Sequence, residues 1–225
     1  MVDSTFIMGL VLRLPVVLFA LTVHEFMHAW TAYKCGDDTA YRMGRVTLNP
    51  LPHLDPIGTL CLMFAPIGWA KPVPVNPANF DYETRKRSEA LVSVAGVAAN
   101  FGLAAVLAGL VRLLVWQGAL AENQLGLILW RMLSLAIIVN FGLGVFNLLP
   151  IPPLDGSHLA RLFLPLGLAD RYVQLRRYGI FLLLGIVLLN RYTGLLIWPI
   201  LGLTRLFAGS NGTDAILWYA FGAGT

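Results

Sequence analysis

Charge is what this sequence has least of. Only 12% of its residues are Asp, Glu, Lys or Arg, against about 25% in an ordinary soluble domain, while 57% are hydrophobic. That balance excludes a water-soluble globular chain, and several apolar stretches approach the ~20 residues needed to cross a bilayer. The net charge of +4 is too small to suggest a nucleic-acid partner and is better read through loop placement. Cysteine is scarce too. Cys35 and Cys61 stand apart and form no CxxC pair, which excludes a disulfide framework; both are expected as free thiols. The first apolar run lacks the small-residue cleavage site of a secretory signal. A chain of 225 residues leaves no room beside its membrane helices for a second sizeable soluble domain. A single all-α polytopic membrane unit over residues 1–225 is expected, with about five to six transmembrane helices.

The first helix is predicted from Phe6 to about Tyr33, interrupted by Arg13 and kinked at Pro15. Cys35-Gly-Asp-Asp38 reads as a helix stop. The run Ile57 to Ala70 is apolar but too short for a comfortable span, and Pro66 and Gly68 break it. With the alternating Val and Pro of Trp69 to Pro77, it predicts short extended or re-entrant segments near 57–77. Ser88 to Trp116 predicts a long helix whose small residues, Ala95, Gly96 and Ala99 among them, let another backbone approach closely. Leu125 to Leu149 predicts the next span, which Pro150-Ile-Pro-Pro153 must break. Beyond Leu168, Tyr178–Asn190 and Leu195–Phe207 give two short accessory spans or a hairpin, within about 178–208. The Gly-rich tail from Ser210 carries no assignment.

Lys and Arg set the orientation. Seven lie between residues 34 and 87 (Lys34, Arg42, Arg45, Lys71, Arg85, Lys86, Arg87), and the loop after Trp116 has none. The positive-inside rule therefore puts 34–87 in the cytoplasm and the N-terminus outside.

At the inner end of the first helix stands His24-Glu25-Phe26-Met27-His28, an HExxH pentapeptide. On a helix, residues four apart face the same way, so His24 and His28 can share a divalent metal, usually Zn2+, with Glu25 beside the water to be activated. The bland alternative is two helix-end histidines at the membrane surface. Ionisable groups inside a bilayer are costly and functional by default, which favours the metal.

A catalytic zinc wants a third protein ligand and an open position. Asp155, His53 and His158 are the candidates. Asp155 is best placed, in a proline-broken stretch that the inward-running helix brings to the depth of HExxH; its plainer role is a helix N-cap. His158, one turn beyond, is a metal ligand, a partner of Asp155 or a water-facing group. His53 is an exposed turn residue or a group lining the site mouth that acts on substrate or as a pH-sensitive gate. Asn147 either contacts substrate or caps its own helix. Gly96 to Asn100 either packs helices or adds one polar contact to the core. The extended strip at 69–77 could offer an edge to an unwound substrate.

HEFMH on the first helix, AGVAAN at 95–100 and NLLPIPPLDG at 147–156 together resemble the site-2 protease family of intramembrane zinc metalloproteases, most closely its small prokaryotic members. The likeness covers residues 5–168. It implies a three-helix metalloprotease core, with His24, His28 and Asp155 on zinc, Glu25 as base, and Asn147 and Pro153 holding substrate. It also implies transmembrane or signal-like protein substrates in the lipid bilayer of a prokaryotic cell (inner) membrane, cut near the cytoplasmic side. No PDZ or CBS domain fits within this chain. Two rivals remain at this level: a catalytically idle zinc-containing scaffold or chaperone, and a metal transporter. The latter lacks a second string of ligands to make a path.

Overall fold

The computed structural model describes residues 4–64 and 68–222, so Pro66, one of the two breaks expected in the 57–70 run, lies outside the described residues. The described chain is helical. In order it forms α1 (Ser4–Lys34), the single turn α2 (Thr39–Arg42), α3 (Pro56–Phe64), α4 (Arg85–Trp116), α5 (Gln124–Asn147), α6 (Asp155–Leu162), α7 (Leu166–Gln174), α8 (Gly179–Thr193) and α9 (Ile197–Leu217). Among these, α1, α4 and α5 are long and apolar enough to cross a membrane; the bent pair α7–α8 makes a fourth if taken as one broken span. The expected count of five to six is therefore not confirmed. α8 and α9 fall where two accessory segments were expected, but α9 bends at Gly209, whose φ of 73° lies outside helical space, and continues through the polar residues Ser210–Asp214.

Local chemistry explains the boundaries. α1 continues through Pro15 and ends at Gly36, whose φ of 103° suits glycine, with the Asp37 N–H turned back onto the Ala32 carbonyl. Asn123 caps α5 by accepting from the Gly126 N–H at 2.8 Å. α5 stops ahead of Pro150, and Pro152–Pro153 is a cis bond.

The three long helices form the frame: α1 packs on α4 and α5, α4 on α5, α6 and α9. A repeat of buried residues every four positions on α4 (Gly96, Asn100, Ala104, Ala108) makes the contact face. The apolar core gathers Ala104, Ala108 and Val111 of α4 with Ile137 and Phe141 of α5 and Ala208 and Ile216 of α9. The tail, unassigned from sequence, completes this core: Tyr219 stacks on Trp130 at 4.9 Å, and its hydroxyl accepts from the Ala121 N–H at 3.0 Å.

The segment between α1 and α4 is a hairpin in which α3 is followed by an extended return. Leu54 and Ala70 pair antiparallel at its base, and no strand forms among the described residues. Trp69 passes so close to α3 that a Cβ on Gly58 would stand 2.2 Å from the Trp69 carbonyl oxygen, which restricts that position to glycine. Arg13, an arginine inside a candidate span, donates to the Leu62 carbonyl at 3.0 Å. An unpartnered arginine at that depth would cost roughly 3 kcal/mol or more, so this bond ties the hairpin to α1.

Asp37 fastens the extended return. Its side chain is fully buried and accepts from the Asn79 side chain at 2.7 Å, the Asn76 N–H at 2.7 Å and the Thr39 N–H at 3.1 Å. Burial alone would raise this carboxyl; the hydrogen bonds from Thr39, Asn76 and Asn79 outweigh it and hold the pKa below the ordinary value. A group whose native pKa is depressed lends stability above its unfolded pKa, near 3.9 for Asp, and loses it as pH falls through the native value. Asp37→Asn is therefore expected to cost about 1–3 kcal/mol at neutral pH. The gap should close as pH drops below about 4, which thermal unfolding in detergent across that range will measure.

Candidate metal centre

His24 and His28 lie one turn apart on the face of α1 that meets α4. Both are buried, and their Nε2 atoms stand 3.0 Å from each other. Asp155, the first residue of α6, sends Oδ2 to within 3.0 Å of His24 Nε2 and 3.2 Å of His28 Nε2. One ligand atom from each of the three lies within 4.8 Å of the others. Leu154, not Asp155, occupies the N-cap position of α6.

Two glycines let these elements close. A Cβ on Gly96 would stand 2.5 Å from His28 Nε2 and 2.7 Å from His24 Cε1. A Cβ on Gly156 would stand 2.3 Å from the Leu148 carbonyl oxygen, so glycine alone lets the start of α6 fold back on the end of α5.

Hydrogen bonds on the far side of each ring decide what faces the centre. His28 Nδ1 lies 2.7 Å from the Val92 carbonyl, which can only accept, so Nδ1 carries a proton and Nε2 of the neutral ring presents a lone pair. His24 Nδ1 lies 2.6 Å from Asn100 Oδ1. The Asn100 amide is oriented by its NH2 group, which donates to the Ala20 carbonyl at 3.3 Å and to Asn140 Oδ1 at 2.8 Å. Asn140 in turn donates to the Ala136 carbonyl at 2.8 Å. Backbone carbonyls thus fix the direction of the whole chain, and His24 Nε2 is also bare. Two lone pairs and a carboxylate oxygen converging within about 3 Å repel one another unless a proton or a metal cation lies between them. Two imidazoles and one carboxylate are a donor set for a divalent ion such as zinc, and the residues present fit one.

The comparisons agree in class. The profile of peptidase family M50 matches residues 118–189. Over 193 residues the chain is 40% identical to YwhC of Bacillus subtilis, whose name assigns it as a zinc metalloprotease, and the match covers 84% of this chain and 85% of that protein. The chain belongs to peptidase family M50. Rip2 of Mycolicibacterium smegmatis is 37% identical and Rip2 of Mycobacterium tuberculosis 33% identical, each over 142 residues; both names likewise assign a zinc metalloprotease. Those matches cover 62% of this chain and 52% of each Rip2, so the chain matches about half their length. No solved structure matches.

In this M50 peptidase, Glu25 is half-buried and its Oε2 accepts from the Val73 N–H at 3.0 Å, which brings the extended return beside the centre. Arg45, itself buried, holds that return by donating to the Lys71 carbonyl at 2.6 Å and the Pro72 carbonyl at 3.3 Å. His53 backs Arg45. Its Nδ1 lies 3.4 Å from the guanidinium, its Nε2 is 2.9 Å from the Thr47 carbonyl, and its own carbonyl accepts from Lys71. The reading of His53 as an exposed turn residue is thus overturned: it is 1% exposed, because the 45–53 loop folds back over it. Neither His53 nor His158 joins the three-residue cluster, and His158 is exposed on α6. Asn147 ends α5 with its NH2 group on the Leu143 carbonyl at 3.0 Å, and Pro153 is exposed at the cis bond.

Sequence reasoning did not single out Asn140, Arg45 or Asp37 as bearing on the site. A polar residue inside an otherwise apolar span is a usable signal for Asn140. Arg45 carries none, since only the folded loop shows that it is buried.

Proposed function

We propose that this chain is a zinc-dependent intramembrane endopeptidase. Residues 5–168 form its catalytic core, and it cuts transmembrane or signal-like segments near the cytoplasmic side of a prokaryotic inner membrane, with the N-terminus outside. The observation that carries the reading is the convergence of the His24, His28 and Asp155 ligand atoms within one small buried space beside Glu25. His24, His28 and Asp155 would hold the zinc. When bound, it supplies Lewis acidity that polarises the scissile carbonyl and makes water nucleophilic near neutral pH.

The chain's own residues do the rest. Glu25 Oε2 is held by the Val73 N–H, leaving Oε1 as the oxygen that takes the proton from the attacking water and returns it to the leaving amine nitrogen. A substrate helix hides its carbonyls in its own hydrogen bonds, so it must unwind before attack. Asn147 and the Pro150–Leu154 break offer polar groups to the unwound strand. Among the described residues no second group of three ligands stands near a common point, which favours hydrolysis over metal transport.

The test is cleavage of a single-span peptide by the purified protein in liposomes. Activity is expected to disappear on chelation, to return with zinc, and to cut the substrate near its cytoplasmic membrane boundary. Cleavage that survives complete metal removal would overturn the assignment.

A further inference from the structure

The polar chain that ends on His24 starts on a different helix. Asn140 of α5 is 1% exposed and Asn100 of α4 is fully buried. With water excluded, neither amide can exchange its partners for solvent, so the direction of each bond in the chain is set by the other partners of the amide that makes it. The origin is the Ala136 carbonyl, an obligate acceptor. It makes Asn140 present its oxygen to Asn100, and Asn100 in turn present its oxygen to the His24 N–H. The two imidazoles differ in this respect. His28 is oriented directly by a backbone carbonyl that no substitution removes, whereas His24 is oriented through the Asn100 side chain, whose NH2 group is held by Asn140 at 2.8 Å and by the Ala20 carbonyl at 3.3 Å.

We propose that Asn140 is a positioning residue for the metal centre: acting through Asn100, it fixes which nitrogen of His24 carries the proton and so keeps Nε2 bare toward the ion. This rests on the zinc-site reading above. Asn140 does not touch the ligand atoms. Removing its amide leaves the Asn100 NH2 group with only the longer 3.3 Å bond to the Ala20 carbonyl, which weakens the hold on its orientation and lets Asn100 turn its NH2 group toward His24 Nδ1, favouring the tautomer with the proton on Nε2, the wrong side for metal binding.

The test is zinc affinity of the full chain in detergent, measured by competition with a chelator, for four proteins. Wild type sets the reference. Asn140→Leu removes the amide at similar volume and is expected to weaken zinc by about tenfold or more, as loss of an outer partner of a metal-ligating histidine does. Asn140→Asp is the conservative rescue. Protonated in this buried setting, its hydroxyl can donate to Ala136 and its other oxygen can accept from Asn100, so affinity should stay within about threefold of wild type. Ser134→Ala is the packing control: Ser134 is buried on the same helix with no partner for its hydroxyl, and affinity should not change.

Wild-type affinity in Asn140→Leu, or equal loss in Ser134→Ala, would overturn the proposal and leave the zinc site standing. Failure of the wild type to bind zinc would overturn both. Should Asn140→Leu not fold, Asn140→Ala carries the same expectation.

Discussion

Gly96→Ala is expected to abolish zinc binding and cleavage together and to lower the protein's stability. Both effects have one cause. Alanine is favoured over glycine by about 1 kcal/mol in an exposed helix interior, but Gly96 is buried inside α4, where overpacking costs about 1–3 kcal/mol. The added methyl would stand 2.5 Å from His28 Nε2, 2.7 Å from His24 Cε1 and 2.8 Å from His24 Nδ1, each inside van der Waals contact. The rings cannot simply tilt away, since their outer nitrogens are held by the Val92 carbonyl and Asn100. Relief by parting α1 from α4 would carry the histidines off Asp155. Ligand distances tolerate only about 0.2 Å of error, so a shift of several tenths of an ångström destroys the site. Zinc content and thermal midpoint, measured on one preparation, check both halves. A Gly96→Ala protein that holds zinc and cleaves normally would show that the histidines do not meet against α4 as described.

Glu25→Gln should do the converse: keep the metal and lose the chemistry. Glutamine matches the shape of glutamate and retains an oxygen to accept from Val73, so the extended return stays in place. It cannot take a proton from water. Loss of a general acid–base group costs about 10²–10⁴ in rate. Zinc stoichiometry should stay at the wild-type value while single-turnover cleavage falls by that factor. Cleavage at the wild-type rate would remove Glu25 from the role of base.

Much of the centre was legible because its signals are local. His24 and His28 sit four apart on one helix, and Asp155 follows a proline cluster that cannot be helical. The long helices announced themselves by length and apolarity, and the short α3 by being too short to span. What stayed hidden depends on segments that meet only in the fold. Asn140 and Asn147 look alike in sequence, two polar residues on one apolar helix. Yet Asn140 faces α4 and joins the chain to His24, while Asn147 turns its amide onto its own backbone. His53 reads as a loop histidine until Arg45 and the 69–73 return close around it. Asp37 was visible as part of a helix stop; its role in tying the return at 76–79 needed residues some forty positions away. The count of five to six spans is not confirmed, and apolar composition alone does not report the bend that Gly209 puts into α9.

X-ray absorption at the zinc edge of the purified wild-type protein tests the central claim most directly, since it reads the ligands themselves. One zinc per chain is predicted, with two imidazole nitrogens and carboxylate or water oxygens at about 2.0–2.2 Å, and Asp155→Ala should alter the oxygen shell. A sulfur shell near 2.3 Å, drawn from Cys35 or Cys61, or a spectrum that Asp155→Ala leaves unchanged, would contradict it.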